Sequence, residues 1–148
     1  MYKHLLIPSD GSEVAEKAVG AGIEFARTVG ARITAFTAVG EYELPSASDM
    51  IAHKRVVSPQ EHEARVKRDA EAILTTITRR AAEAGVECDA DYALCNRPHE
   101  AIIAAANQHG CDLIFMASHG RSGLSALIHG SETRDVLTHS TIPTLVYR

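Results

Sequence analysis

The sequence predicts one α/β domain over residues 1–148: a doubly wound sheet of five parallel strands with helices on both faces, as in Rossmann-like folds. Short apolar runs typical of strands alternate along the chain with segments whose apolar residues recur at helical spacing. Residues 5–7 and 113–116 are continuously apolar, as expected of central strands covered on both faces. This strand–helix alternation favours right-handed crossovers between parallel strands.

The first half of the chain has well-marked element boundaries. The first strand ends in the turn formed by residues 8–12, and Ser12 is a typical N-cap for the helix that follows. Gly30 is predicted to cap that helix at its C-terminus, and residues 33–39 form the second strand. Residues 40–57 have no steady period, so we predict a surface loop there, and a loop this long is often functional or disordered.

The second half continues the alternation. Ser58-Pro59-Gln60-Glu61 predicts a helix start with a serine cap, a proline in the first turn and a capping box, and Gly85 ends this second helix. In residues 86–94 apolar and acidic side chains alternate, which predicts a strand with one wet face at a sheet edge. A third helix begins at Arg97-Pro98.

The last elements complete the predicted sheet. Residues 113–116 form the fourth strand, and a fourth helix follows Gly130-Ser131. Residues 143–147 form a short apolar fifth strand. An uncovered edge strand of this kind invites pairing with another chain.

Composition excludes several classes of function. The net charge is −4, which argues against a protein that coats nucleic acid or an anionic membrane. No apolar run is long enough to span a bilayer, and the first residues lack the layout of a signal peptide. The three cysteines are scattered and form no C-x-x-C pair, which suits a reducing compartment. We therefore expect a cytoplasmic protein with no nucleic-acid partner and no membrane association.

The segment after the fourth strand is the most informative part of the chain. It reads Met116-Ala117-Ser118-His119-Gly120-Arg121-Ser122-Gly123, and Gly130-Ser131 follows it. Strand, glycine-bearing loop and helix start together outline a phosphate cradle, because glycine allows close backbone approach and N–H groups at a helix start attract anions. In doubly wound sheets ligands bind beyond the carboxyl ends of the strands, where the strand order reverses. If the first and fourth strands are neighbours, this loop and the turn at residues 8–12 face one crevice.

Plainer explanations exist for each motif. Asp10, Gly11 and Ser12 could form only a turn and a helix cap, and His119 could bond only to local backbone. The spacing supports no Ser-His-Asp or Cys-His constellation, and the Walker pattern and a G-x-G-x-x-G after the first strand are absent. With only His119 or Asp10 available as a base, any hydrolysis of a bound ligand would be slow.

Together these motifs resemble the universal stress protein family over essentially the whole chain. The family opens with a strand that ends in a Pro-x-Asp-Gly-Ser-like turn, which residues 8–12 match. It carries a proline at the third helix, matched by Arg97-Pro98, and ends in a strand like residues 143–147. The fold implied by this resemblance is the one the periodicity predicts.

The nucleotide-binding branch of that family carries a Gly-x2-Gly-x9-Gly-Ser/Thr signature. Gly120, the nine residues after it and Gly130-Ser131 match, but Ala117 stands at the first glycine. If the backbone there needs a positive φ, alanine is strained; if φ is negative, its methyl group simply lines the pocket. The sequence leaves both alternatives open.

The resemblance implies a ligand and a site. The ligand would be ATP or a related adenine nucleotide, with Mg²⁺ as a bridge between phosphates. Asp10 would contact the ribose or the phosphate-side polar groups, backbone at Ala38 and Val39 would meet adenine, and the signature residues would hold the phosphates. The predicted nucleotide-binding residues are Pro8, Asp10, Ala38, Val39, Met116, Ala117, His119, Gly120, Gly130, Ser131, Glu132 and Thr133.

The resemblance also implies an assembly and a role. Family members commonly pair through the last strand, so a homodimer is expected through Thr144, Leu145, Val146 and Tyr147. The implied role is a stress-response regulator or sensor. The competing interpretations are a dimerisation module that binds no nucleotide, which the departure at Ala117 favours, and an ATP-dependent enzyme, for which substrate-activating residues are missing.

Overall fold

The computed structural model describes residues 1–52, 55–118 and 131–148. Within these ranges a five-stranded sheet has the order β3-β2-β1-β4-β5, and all of its pairings are parallel. The strands are β1 (His4–Pro8), β2 (Arg32–Val39), β3 (Cys88–Leu94), β4 (Leu113–Ala117) and β5 (Thr144–Tyr147). This order confirms the doubly wound parallel sheet and makes the first and fourth strands neighbours.

Helices cover both faces of the sheet. They are α1 (Glu13–Val29), α2 (Ala47–Ile51), α3 (Pro59–Glu83), α4 (Pro98–Gln108) and α5 (Ser131–His139). On one face α1 and α3 pack on Leu5 and Ile7 of β1, whereas on the other face α4 and α5 pack on Leu6. This division follows from the period of two in a strand, and it explains why β1 carries apolar residues at successive positions.

The helix ends follow the predicted local chemistry. The Ser12 hydroxyl accepts the Ala15 N–H at 3.2 Å, and Ser58 forms the predicted capping box with Glu61. Gly30 ends α1 with a φ of 69°, a conformation that glycine adopts without the steric cost of a side chain. These caps fix where each helix leaves the edge of the sheet.

The predicted loop at residues 40–57 is partly wrong, because α2 lies inside it. The Ser46 hydroxyl accepts the Asp49 N–H at 3.2 Å, and the Asp49 carboxylate accepts the Ser46 N–H at 3.3 Å. This capping box starts a helix of only five residues, none of which is buried. A helix this short that buries no side chain leaves no apolar period in the sequence.

β3 and β5 are the two edge strands of the sheet. β3 lies at one edge, as predicted, but its alternation is incomplete: Ala90 is exposed, Leu94 is 45% exposed, and Ala93 packs in the α4 face of the core. An edge strand has a neighbouring strand on one side only, so its side chains are covered unevenly. β5 lies at the opposite edge with its residues half-buried.

Candidate functional site

The candidate site lies at the carboxyl ends of β1 and β4. These strands pair directly, with Leu5 opposite Leu113 and Leu6 opposite Ile114. From β1 the chain builds β2 and β3 to one side, and from β4 it builds β5 to the other. The strand order therefore reverses between β1 and β4, and the segments that follow these two strands meet at that point.

The β1–α1 turn is held by its own hydrogen bonds. The Ser9 N–H donates to the Phe36 carbonyl at 2.9 Å, and the Ser9 hydroxyl accepts the Gly11 N–H at 3.2 Å. The Asp10 carboxylate accepts the Ser12 N–H at 2.9 Å, which closes an Asx turn, and Gly11 has a φ of 74°. Asp10 and Gly11 therefore form a turn and Ser12 caps α1, and the bond to Ser12 holds the Asp10 carboxylate at the edge of the sheet.

Ala117 lies at the end of β4, paired with Tyr147 and nearly buried. A residue in a parallel strand has an extended backbone with negative φ, which alanine adopts freely. The alternative in which alanine is strained therefore does not apply to this structure. Ala117 is thus a buried residue at the carboxyl end of β4.

The first turn of α5 is fastened to the end of β4. The Thr133 hydroxyl lies 3.2 Å from the Ala117 carbonyl and 3.3 Å from the Ser118 carbonyl, to which it can donate. The Ser118 N–H donates in turn to the Tyr147 carbonyl at 2.9 Å. Ser131 is the first residue of α5, and backbone N–H groups in the first turn of a helix have no partner within the helix. The start of α5 is thus held at the carboxyl end of β4.

Glu132 reaches across to α4. Its carboxylate accepts the His99 N–H at 2.6 Å and lies 3.1 Å from His99 Nδ1. Arg97, the residue at the N-cap position of α4, makes no side-chain cap bond, so Glu132 caps α4 from the neighbouring helix. Sequence reasoning missed His99, because these residues are far apart in the chain and no local pattern links them.

The end of β2 extends the same edge. Phe36 pairs with Pro8, the last residue of β1, so Ala38 and Val39 project beyond β1. The Val39 carbonyl accepts the Cys95 N–H at 2.8 Å, and Ala38 packs partly against the α4 face of the core. The backbone of Ala38 and Val39 therefore lies beside the β1–α1 turn.

The described part of the chain brings most predicted site residues to one edge. These are Pro8, Asp10, Ala38, Val39, Ala117, Ser131, Glu132 and Thr133. Met116 differs, because its side chain is 6% exposed and packs inside the α4 and α5 face of the core. His119, Gly120 and Gly130 lie outside the described residues.

A cavity of about 760 Å³ adjoins this edge between α1, α5 and β5. Its volume lies within the range of small-molecule sites. Ser118 and Thr133 line it together with the basic side chains of Arg134 and Arg148. Val14, Leu137 and Val146 line it as well, so its lining is largely apolar, and the Arg134 guanidinium lies 3.5 Å from the Asp135 carboxylate.

The described residues offer little for metal or thiol chemistry. No three histidine, cysteine or acidic side chains among them are arranged to hold a metal ion. Burial raises the pKa of both the Cys88 and Cys111 thiols to about 11, so these thiols stay protonated at neutral pH. In the described segments no helix is both long and apolar enough to cross a bilayer.

Comparison with known proteins gives a consistent picture. The profile of the universal stress protein family matches residues 1–148. The universal stress protein YxiE of Bacillus subtilis (strain 168) is 32% identical over 153 residues, with both proteins covered completely. The universal stress protein MJ0577 of Methanocaldococcus jannaschii is 28% identical over 156 residues, covering 100% of this chain and 96% of the relative.

Solved structures share the fold. The structure of MJ0577 superimposes with a TM-score of 0.80 over 99% of this chain and 95% of its own, at 27% identity. A universal stress protein in complex with cAMP gives a TM-score of 0.70 at 20% identity, covering 99% of this chain and 97% of its own. A universal stress protein from Archaeoglobus fulgidus in complex with dAMP gives 0.67 at 16% identity, covering 99% and 98%.

Proposed function

The chain belongs to the universal stress protein family, and on that basis we propose that it binds an adenine nucleotide at the carboxyl edge of β1 and β4. One observation supports this proposal: the Asp10 turn follows β1, and the first turn of α5 bonds through Thr133 to the end of the neighbouring strand β4, where the strand order reverses. Two proteins of the same fold hold cAMP and dAMP, which favours an adenine ligand.

The proposed pose follows the edge from β2 to α5. Adenine contacts the backbone at Ala38 and Val39, and Asp10 bonds the ribose or the phosphate-side polar groups. The phosphates lie at the start of α5, where Ser131 and the N–H groups after it provide donors. His119, Gly120 and Gly130 complete this phosphate end. ATP is included in the proposed ligand class, with Mg²⁺ between its phosphates.

The proposed role is regulation rather than rapid catalysis. Asp10 is occupied in a turn and is therefore a poor base, and the other candidate base, His119, lies outside the described residues. A bound nucleotide then acts as a signal that shifts the protein between partners or conformations. We place this regulator in the cytoplasm as part of a stress response.

We further propose a homodimer through the outer edge of β5, at Thr144, Leu145, Val146 and Tyr147. The Pro143 and Tyr147 carbonyls accept hydrogen bonds from β4, from Ile114 and Ser118. Because alternate residues of a strand direct their backbone groups to opposite sides, those of Thr144 and Val146 point away from β4. An outward row of donors and acceptors favours a second copy of the strand across a two-fold axis.

The nucleotide proposal is tested first on the protein as purified. Mass spectrometry of small molecules released from protein prepared without added nucleotide should detect an adenine nucleotide, and calorimetric titration should then measure the affinity for AMP and ATP. Gly130→Val should weaken binding, because the branched side chain blocks close approach of phosphate to the backbone. An unfolding curve checks that the variant is folded, and equal affinities in a folded variant would contradict the phosphate assignment.

A further inference from the structure

A fixed carboxylate lies in the first turn of α5. Glu132 is the second residue of that helix, and its side chain is 44% exposed. The same carboxylate oxygen contacts both the backbone N–H and the Nδ1 of His99, a residue that is nearly buried. Since Glu132 supplies a cap that Arg97 does not, a rotation away from α4 would leave the start of α4 uncapped. The negative charge is thus held in place.

The negative charge of Glu132 lies at a helix start, a place that would otherwise attract anions. The beginning of a helix attracts anions through its N–H groups and its dipole, within about one turn. A carboxylate held in that same turn offsets part of this attraction and repels a second anion. The repulsion grows with each negative charge on the ligand, so it weighs more on a chain of phosphates than on a single phosphate.

The role of Glu132 rests on the proposed adenine-nucleotide site. We propose that Glu132 is a specificity-determining residue, which makes this site favour nucleotides with one phosphate over those with three. The adenine and ribose contacts are the same for both ligands, so the difference arises at the phosphate end. Arg134 and Arg148 line the neighbouring cavity, where Arg134 lies 3.5 Å from the Asp135 carboxylate, whereas Glu132 is the carboxylate in the first turn itself.

The chain offers a matched control in Asp135. Its carboxylate lies 4.0 Å from His99 Nδ1 and 3.5 Å from Arg134 Nε, on the same side of α5 but one turn further from the helix start, so removing its charge also removes a partner of Arg134. Glu132→Gln and Asp135→Asn each remove one negative charge, and each keeps the shape of the side chain and an oxygen that can accept a hydrogen bond. A general effect of net charge would appear equally in both variants, whereas a specific effect of Glu132 would appear in one.

The experiment measures the dissociation constants of AMP and ATP by calorimetry for the wild type and both variants. A chelator keeps divalent cations from neutralising the phosphates, and a pH of about 8 is used because histidine side chains are ordinarily uncharged there. Glu132→Gln should improve the affinity for ATP about two- to fivefold more than that for AMP, on the scale of a single charge at a helix start. Asp135→Asn should change the ratio less, and added salt should shrink the difference.

The outcomes separate this inference from the proposal on which it rests. If both nucleotides bind but Glu132→Gln leaves their ratio unchanged, or Asp135→Asn shifts it equally, the specificity role is wrong and the nucleotide site stands. Equal weakening of both nucleotides by Glu132→Gln would reduce Glu132 to a structural cap and also overturn the inference. If neither nucleotide binds the wild type, the proposed function itself fails.

Discussion

A methyl group added at Gly22, in the buried face of α1, should destabilise the protein. Its carbon would lie 2.7 Å from Ile7 Cδ1 and 3.2 Å from Phe115 Cδ1, and the first distance is too short for a real contact between carbon atoms. Ile7 is fully buried and Phe115 nearly so, which limits how far either side chain can move. Gly22 therefore allows α1 to lie close to β1 and β4, the strands that lead into the candidate site.

The size of the effect follows from two opposing contributions. In an ordinary helix position alanine is about 1 kcal/mol more favourable than glycine. Overpacking of a well-filled core costs about 1–3 kcal/mol. For Gly22→Ala the second contribution should win, so the free energy of unfolding should fall by up to about 2 kcal/mol.

Gly20 provides a control on the same helix. A methyl carbon there would lie 2.9 Å from Arg80 Nη2, which is the far end of a flexible side chain. Arg80 also pairs with Glu16 through Nη1 at 2.7 Å, so this guanidinium can shift a little and still keep its partner. Gly20→Ala should gain helix propensity with little steric cost, up to about 1 kcal/mol in favour of folding.

Urea unfolding of the wild type and of both variants measures this contrast. The free energies of unfolding should rank with Gly20→Ala highest and Gly22→Ala lowest, at an unchanged dependence on urea concentration. A Gly22→Ala protein as stable as the Gly20→Ala protein would refute the close packing of α1 on the sheet.

Three further predictions concern the core and the edges of the sheet. Ala117→Gly should lower the free energy of unfolding by about 1–2 kcal/mol, through a lost methyl contact and a looser strand, while nucleotide binding is at least as tight; weaker binding of the glycine variant in calorimetry would contradict a methyl group that only lines the pocket. Burial, and after it the Arg32 charge, lowers the pKa of His4. The contribution of His4 to the free energy of unfolding should therefore be complete above about pH 6.5, the ordinary histidine pKa, and should be lost as the pH falls below it. In urea unfolding at a series of pH values around 6.5, His4→Gln should reduce this pH dependence. Light scattering of the wild type should report a dimer. Val146→Pro removes an outward backbone donor of β5 and should give a folded monomer. If this variant is still a dimer, the interface lies elsewhere.

The sequence allowed the sheet to be predicted because its signals are local. Continuous apolar runs mark β1 and β4 as central strands, since only a strand covered on both faces buries every side chain. The serine caps at Ser12 and Ser58 act over three residues, so a short window contains the whole signal. By contrast, α2 buries no residue, and only its cap could have indicated it.

The site was harder to predict because its interactions are not local. Whether alanine is strained at position 117 depends on how far β4 extends, and that is set by its pairing with Tyr147. Periodicity could indicate a strand there, but it could not fix the last paired residue.

The contact of Glu132 with His99 depends on two helix starts that the sheet order places together at one edge. From sequence, Glu132 is only an acidic residue in a first turn, an ordinary feature that favours the helix. The structure adds that its charge is directed to α4, which supplies no cap of its own. A family signature predicts that phosphate is bound at the start of α5, whereas the proposed effect of Glu132 on phosphate charge follows from a contact between two helices that no local pattern contains.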